Sequence, residues 1–152
     1  MDIGVRTKMN EYMCRAKRIK DQKWICGYFI DVTGDATYLA VPDGNRGSWT
    51  IHAVNFKTVC RCTGKKDKNG NFIFERDIVK DHNQDIGEVH WWSGRYVGFG
   101  ISIWTRGKDM VVSERLDNCE VIGNSFDNFD ILKEIWQEEC KQARIRRGEL
   151  DE

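Results

Sequence analysis

The segment at residues 63–79 constrains the fold more than any other part of the sequence, because it joins a tight turn to an alternating apolar pattern. Asp67, Asn69 and Gly70 are residue types that cap turns or adopt positive φ. The Phe72–Phe74 segment then resumes apolar alternation, which continues to the end of the stretch. This order predicts a tight reversal that leads directly into β-strands.

Other short apolar segments, separated by polar or glycine-containing turns, also predict strands. They lie at residues 14–19, 24–30, 37–41, 48–54, 57–62, 77–80, 87–92, 96–104, 110–112 and 119–122. Strands this short and closely spaced favour antiparallel sheets over βαβ units. We expect a mainly β chain: an N-terminal β-hairpin and meander region over residues 1–62, with a loose lead-in at 1–13, and a small SH3-like antiparallel β-barrel over 63–126.

The end of the chain changes from the strand period to the helix period. Apolar residues recur there at steps of three and four, namely at Phe129, Leu132, Ile135, Trp136, Cys140 and Ala143. This spacing predicts a C-terminal amphipathic helix of about four or five turns within residues 127–148. Asp127 or Asn128 is expected to cap its start, and Gly148 to end it. The whole chain is expected to form one compact unit.

Charge and hydropathy exclude several classes of protein. Lysine plus arginine and aspartate plus glutamate number 24 each, so no overall positive field attracts nucleic acid or an anionic membrane. The longest apolar runs are only a few residues, and the N-terminus has no hydrophobic segment, which predicts neither a spanning helix nor a secretory signal. We expect a cytoplasmic protein without a membrane partner, in which the six cysteines stay reduced.

Cys60 and Cys62, together with His52, offer thiolate and imidazole donors of the kind that bind zinc. A structural zinc site usually needs a second pair of ligands at short spacing, and that pair is missing. Residues two apart on a strand point to the same face, so both cysteines are expected to pack in a core. No metal ligand and no cofactor are predicted.

Two histidines have acidic neighbours and are candidates for acid–base chemistry. His82 lies between Asp81 and Asp85, and His90 follows Glu88. No motif supplies a nucleophile near either histidine, and a histidine beside an acid in a polar turn is more often a solvated side chain. The sequence therefore predicts no catalytic residues and a protein that is not an enzyme.

Aromatic and basic side chains are the remaining candidates for binding. Trp91 and Trp92 are adjacent on a predicted strand and point to opposite faces, so only one is expected to enter a core. The other is expected to face an outer surface, the helix or a partner. The candidate binding residues are Trp91, Trp92, Trp104, Trp136, Lys65, Lys66, Lys68, Arg95 and Arg106.

Three blocks together carry a resemblance to a known family. They are Arg15-Ala16 with Trp-Ile-Cys-Gly-Tyr at 24–28, the central stretch Thr-Gly-Lys-Lys-Asp-Lys-Asn-Gly-Asn-Phe-Ile-Phe-Glu-Arg-Asp-Ile-Val at 63–79, and Val-Ile-Gly-Asn-Ser-Phe-Asp-Asn at 121–128. With these blocks, roughly residues 14–132 resemble the YopX family of small phage and prophage proteins. Arg76 stands where the family often has glycine, so no bend that requires glycine is expected there. Ser125 stands where the family often has a larger residue.

The resemblance implies a mostly β protein, with an SH3-like second half, encoded by a phage or prophage in a bacterial host. It implies no reaction, cofactor or catalytic residue. The first hypothesis is a non-enzymatic accessory protein that binds a host or phage protein, or a second copy of itself as a homo-oligomer. Inhibition of a host factor, such as a defence nuclease, is one such role. The alternative is a nucleic-acid-binding module in phage replication or transcription control, which uses the lysines and arginines named above.

Overall fold

The computed structural model describes residues 10–31, 36–44, 47–94, 97–103, 108–111 and 113–151. The strands are β1 (Cys14–Lys17), β2 (Trp24–Asp31), β3 (Thr37–Pro42), β4 (Trp49–Val54), β5 (Cys60–Lys66), β6 (Phe72–Phe74), β7 (Asp77–Lys80), β8 (Ile86–Ser93), β9 (Val97–Ile103), β10 (Lys108–Val111) and β11 (Glu120–Asn124). Short 3-10 helices lie at Phe56–Thr58 and Ser113–Asn118, and the helix α1 spans Phe129–Arg146. A mainly β chain with a C-terminal helix is therefore confirmed.

The strands form two antiparallel sheets. One has the strand order β4-β3-β2-β1-β5-β6, and the other has the order β10-β9-β8-β7-β11. A barrel would need the outermost strands of a sheet to pair with each other, and within the described ranges β10 pairs with β9 and β11 with β7. The sheets are open, so the predicted SH3-like barrel is not confirmed. The chain divides into two compact units, Met1–Gly64 and Lys65–Glu152.

The first unit buries one face of its sheet. Ala16, Leu39 and Val54 form the buried core, and half-buried apolar residues of β1 and β2 pack against them. Gly27 on β2 permits the close approach of β3, because a Cβ at this position would lie 2.5 Å from the carbonyl oxygen of Ala40. This glycine belongs to the first block that carries the family resemblance.

The second unit has its core on one face of the β8–β9 hairpin. Val89 lies opposite Ile101, and Gly87 lies opposite Ile103. These residues pack with further buried side chains, which are Ile73, Val79, Leu116 and Cys119. Ile101 and Ile103 of β9 therefore belong to the buried core of this unit.

A buried carboxylate closes the turn between β5 and β6. Asp67 accepts hydrogen bonds from the backbone N–H groups of Asn69 (3.0 Å), Asn71 (2.9 Å) and Val121 (3.1 Å). Gly70 has a φ of 82°, in the left-handed region that glycine adopts without strain. The predicted turn is confirmed, and Asp67 also ties it to β11.

The strands predicted at residues 14–19 and 57–62 have different bounds in the structure. Phe56–Thr58 forms a 3-10 helix rather than the start of a strand, because the Asn55 side chain accepts a hydrogen bond from the N–H of Lys57 (3.1 Å). β5 begins only after this helix and continues past residue 62. β1 ends at Lys17 rather than at Ile19.

The predicted helix is confirmed, but its start is built differently. Asn128 takes the N-cap position without a side-chain capping bond, and its Oδ1 instead accepts a hydrogen bond from the N–H of Asn124 (3.1 Å). The expected side-chain cap by Asp127 or Asn128 is therefore wrong. Gly148, with a φ of 71°, follows the last turn and donates its N–H to the carbonyl of Ile145 (2.9 Å), as the predicted stop requires.

A tight bend joins β6 to β7 and places Arg76 at a φ of 67°. The expectation that the bend is absent without glycine is therefore wrong. The backbone of Arg76 donates to the carbonyl of Val89 (2.8 Å) and accepts from the N–H of Ser125 (2.9 Å). Asp77 accepts from the N–H of Phe74 (2.8 Å) and closes the same bend. These bonds hold a non-glycine residue in a conformation that costs roughly 1 kcal/mol.

Candidate functional site

Trp91 and Trp92 point to opposite faces of the second sheet, as predicted, but neither is fully buried. Trp91 lies opposite Phe99, and their rings meet edge to face with centroids 4.9 Å apart. The Trp91 ring lies on the core side of the hairpin but stays exposed. Trp92 is half-buried beside the ring of His90, and its buried indole N–H has no acceptor among the residues that are described.

Trp136 is the most exposed of the predicted tryptophans that the structure describes. It lies in the middle of α1 with 58% of its surface exposed. Trp104, Arg95 and Arg106 lie outside the described residues. Trp91 and Trp92, which point to opposite faces of β8, do not share one surface.

The predicted basic run does not form a free positive patch. Lys65 Nζ lies 2.7 Å from a carboxylate oxygen of Asp117, and Lys68 Nζ lies 2.7 Å from one of Glu120. The Lys66 ammonium lies 4.9 Å from the centroid of an aromatic ring on β6. Nearby acids thus neutralise two of the three lysines, which weakens their attraction for phosphate.

A buried carboxylate on β8 organises a polar cluster in the second unit. Glu88 Oε1 contacts Nε2 of His90, and Oε2 lies 3.8 Å from Nε of Arg76. The same Arg76 Nε donates to Oγ of Ser125 (2.9 Å), and the guanidinium lies 5.2 Å from the centroid of the Phe126 ring. Two of the positions that depart from the family pattern, Arg76 and Ser125, therefore contact each other.

The surroundings of Glu88 keep this carboxyl ionised. Burial raises its pKa, but hydrogen bonds from His90 and Ser125 and the charge of Arg76 outweigh burial and hold the pKa below its usual value. Ser125 bonds to Glu88 and to Arg76, so these four residues do not form the base–nucleophile contact of a catalytic triad. The cluster can orient His90 and fix the bend at Arg76.

A polar cleft of about 310 Å³ lies beside β7 and β11. Its lining residues are Lys68, Lys80, Asp81, His82, Gln84, Asn118 and Glu120. Asp81 is buried and accepts hydrogen bonds from the N–H groups of Asn83 (2.8 Å) and Asp85 (3.0 Å), so its carboxylate shapes the turn that carries His82. Two lysines and two acids line the cleft, which gives it no net charge to select an anion.

Three of the cysteines, Cys60, Cys62 and Cys119, are buried as small apolar side chains. Cys60 and Cys62 are buried, which confirms the predicted core packing. Burial, followed by the charge of Asp67, raises the pKa of the Cys119 thiol to about 12, and burial raises that of Cys26. In the described part of the chain, no group of three or more His, Cys, Asp or Glu residues is placed to hold a metal ion.

The face of the first sheet opposite Ala16 and Leu39 carries a group of aromatic residues that no prediction singled out. Strand alternation and register place five side chains together on this face, which we call the aromatic face: Trp24, Tyr28, Tyr38, Trp49 and Ile51. Tyr28 and Trp49 meet edge to face with ring centroids 5.4 Å apart. Trp49 and Ile51, on the edge strand β4, are 53% and 52% exposed.

Two cations lie at the β1 side of the aromatic face. The Arg15 guanidinium lies 4.9 Å from the Trp24 ring centroid, and the Lys17 ammonium lies 5.4 Å from it. Cations over an indole ring are attracted by its negative face. The aromatic face therefore runs from a basic, stacked edge at β1 to an exposed apolar edge at β4.

The sequence held a signal for this face. Alternate residues of Trp24–Asp31, Thr37–Pro42 and Trp49–Val54 are aromatic or apolar on one side, while the core residues occupy the other. A two-sided apolar pattern on antiparallel strands indicates a covered sheet or a binding face. The predicted binding residues include none of the five side chains of the aromatic face.

One comparison with known proteins identifies a family. The model of the family described as YopX protein matches residues 8–133, which confirms the resemblance seen in the sequence. A search of curated proteins found no match to the chain. No helix in the described ranges is both long and apolar enough to cross a membrane.

Proposed function

Because the chain belongs to the YopX family, we propose that it is a non-enzymatic accessory protein of a phage or prophage that acts by binding another protein in the bacterial cytoplasm. The family match covers most of the chain. The phage origin follows from the family resemblance, and inhibition of a host factor, such as a defence nuclease, is the role that we favour for such a protein.

The observation that carries the proposal is the exposure of Trp49 and Ile51 beside Tyr28 on the aromatic face. Exposed aromatic and aliphatic side chains held on a rigid surface are typical anchors of protein interfaces. An antiparallel sheet holds them in fixed positions, so little conformational entropy is lost on binding. The expected partner is a folded protein with a complementary apolar patch.

The partner's charge follows from the opposite edge of the aromatic face. Arg15 and Lys17 lie over Trp24, so the surface is basic at one side and apolar at the other. A partner with acidic residues beside its apolar patch fits this arrangement. The apolar anchors contribute most of the affinity, and the charges contribute mainly to the rate of association.

A capture experiment tests the proposal. The immobilised protein is exposed to bacterial lysate at low and high salt, with Trp49→Ala as the test variant and Phe56→Ala as the control. Phe56 is an exposed aromatic residue of the same unit, with 70% of its surface exposed, but it lies in a 3-10 helix outside the aromatic face.

We expect a discrete protein that wild type and Phe56→Ala retain at high salt and that Trp49→Ala loses. Truncation of an interface anchor costs about 2 kcal/mol, or roughly thirtyfold in affinity. Equal retention by all three forms would place the interface elsewhere. Recovery of nucleic acid alone would contradict protein binding.

The stacked edge of the aromatic face supports one second candidate, binding of single-stranded nucleic acid. The half-buried Trp24 ring beside Arg15 and Lys17 resembles the aromatic platforms on which bases stack. Affinity for a labelled single-stranded oligonucleotide would then fall steeply with salt. Absence of binding at low salt would remove this candidate and leave the first unaffected.

A further inference from the structure

The outer edge of β4 is covered at one end by the chain itself. Residues 17–19 run antiparallel to this end of the strand. The N–H of Ile19 donates to the carbonyl of Ala53 (2.9 Å), and the N–H of Asn55 donates to the carbonyl of Lys17 (2.9 Å). At this end, therefore, the edge of β4 pairs with extended backbone.

The rest of the edge stays open because the covering segment turns away. The N–H of Gln22 donates to the carbonyl of Arg18 (2.8 Å), and Gln22 has a φ of 59°. The backbone groups of successive residues in an antiparallel strand point alternately to its two sides, so Ile51 and Trp49 share the outward direction of Ala53. In the described part of the chain, no hydrogen bond is made to the outward N–H and C=O groups of Ile51 and Trp49.

The strand β4 also lacks the features that protect other edge strands from pairing. The outermost strands of the two sheets are β4, β6, β10 and β11. β6 is only three residues long, and shifts of register interrupt the pairing of β10 and of β11. β4 pairs with β3 over six consecutive residues without a shift, and it contains no lysine, arginine, aspartate or glutamate. A regular, uncharged edge strand of this kind readily pairs with a further strand.

The side chains beside the open edge suit an apolar strand. Trp49 and Ile51 lie two positions apart and are 53% and 52% exposed. In a strand added to β4, the residues opposite these two would also point to the aromatic face. Apolar side chains at those two positions would bury Trp49 and Ile51 further, and the residue between them would lie on the other face beside Thr50.

The open backbone groups and the exposed side chains together indicate how the partner binds. We propose that β4 binds by strand addition: an extended segment of the partner protein, apolar at alternate positions, pairs with residues 49–52 and extends the first sheet. This inference rests on the proposed binding of a protein through the aromatic face. Backbone hydrogen bonds hold such a segment in place, and its alternate side chains determine which sequences bind.

A second copy of this chain fits the open edge less well than a separate segment. If Ile51 of two copies lay opposite each other, Trp49 of each copy would lie opposite Ala53 of the other. The outward carbonyl of that alanine is already bonded to Ile19. Registers that avoid this conflict overlap the two β4 strands only at residues 49–51. A segment of another protein can instead pair along the whole open edge.

A library of random displayed peptides is a probe that does not require the natural partner. We expect wild type to enrich peptides with apolar residues at alternate positions. Ile51→Pro removes an outward N–H without breaking the pairing with β3, so it should weaken binding of a selected peptide by about tenfold. Ile51→Val keeps this N–H and is the matched control. Equal affinity of folded Ile51→Pro and Ile51→Val for the selected peptides would overturn the proposal, as would the absence of any enriched peptide.

Amide hydrogen exchange of the isotope-labelled wild type tests the same pairing without a substitution at the edge. A selected peptide should slow exchange of the Ile51 N–H by about tenfold or more. The N–H groups of Thr50 and His52 point to β3 and should be protected with or without the peptide. Unchanged exchange at Ile51 would overturn strand addition. Protection of Ile51 that rises with the concentration of the chain alone would overturn the choice of partner and identify a second copy as the occupant.

Failure of strand addition can be distinguished from failure of the proposed function. In the lysate capture, loss of the partner in both Trp49→Ala and folded Ile51→Pro, with retention in Ile51→Val, is the result expected from strand addition. Retention in Ile51→Pro with loss in Trp49→Ala would overturn strand addition and leave protein binding through the side chains of the aromatic face in place.

Discussion

The two units use apolar and polar side chains in opposite ways. In the first unit, the side of the sheet opposite the core leaves Trp49 and Ile51 open to solvent. In the second unit, polar side chains are drawn inward, and buried Asp67 and Asp77 accept backbone N–H groups that close turns. Residues of the central family block thus serve the fold, whereas the surface proposed for binding lies on strands of the first sheet.

The largest effect should come from loss of the Asp67 carboxylate. Asp67→Ala leaves three backbone N–H groups, those of Asn69, Asn71 and Val121, without their acceptor. We expect the free energy of unfolding to fall by about 3 kcal/mol, measured by urea denaturation. Asp43→Ala is the matched control, because Asp43 accepts from hydroxyl groups at an exposed loop. A loss as small as that of the control would contradict the role given to Asp67.

Acidification should destabilise the second unit, which contains Asp67. The pKa values of Asp67 and Glu88 lie below their ordinary values of 3.8 and 4.5 in the folded chain. Both carboxylates therefore stabilise the fold at pH values above those ordinary values, and this stabilisation is lost as the pH falls through the lower, folded pKa values. Each pH unit by which a folded pKa lies below its ordinary value corresponds to about 1.4 kcal/mol of folding stability.

Titration of these two groups should therefore leave the urea midpoint unchanged between neutral pH and roughly pH 5. At more acidic pH the urea midpoint should decrease. Asp67→Asn should be less stable at neutral pH but lose less stability on acidification. An acid slope that is the same in wild type and in this variant would show that Asp67 does not titrate with folding.

Substitutions at Arg76 should have an intermediate effect on stability. Two variants distinguish the cost of the strained backbone from the loss of side-chain contacts. Arg76→Ala keeps the positive φ and loses the bonds to Ser125 and Phe126, so it should lower stability by about 1 kcal/mol. Arg76→Gly loses the same contacts but relieves the strained backbone, so it should be more stable than Arg76→Ala by about 1 kcal/mol. Equal urea midpoints for the two variants would show that the bend carries no strain.

The smallest effect on stability should come from the aromatic face. Trp49→Ala removes a half-exposed side chain, and we expect a change in unfolding free energy of about 0.5 kcal/mol or less. The same variant should lose partner binding, so stability and binding separate. A large loss of stability would instead mark Trp49 as part of the core and would remove the contrast between the units.

Much of the fold could be predicted because its signals are local. The turn at Asp67 and Gly70, the apolar positions of β9 and the period of α1 follow from neighbouring residues alone. The closure of a sheet depends on pairing between its outermost strands, which no local pattern records. For this reason the predicted barrel was not confirmed.

The surfaces were harder to predict because they depend on register. Tyr28 and Ile51 share a face only because both lie opposite Ala40, which the sequence does not reveal. The ion pairs of Lys65 and Lys68 likewise join residues about fifty positions apart. The helical period places Trp136 on the same apolar side of α1 as Leu132, yet Leu132 is buried and Trp136 is 58% exposed, which the period alone does not predict.

Photo-crosslinking from the aromatic face tests the central claim most directly. A photoreactive amino acid replaces Ile51 in cells of the bacterial host, and the same residue at Phe56 is the control. We predict a discrete protein adduct from position 51 that is absent from position 56 and that disappears when Trp49→Ala is added. Adducts that are equal at both positions, or adducts with nucleic acid alone, would contradict a protein-binding role for this face.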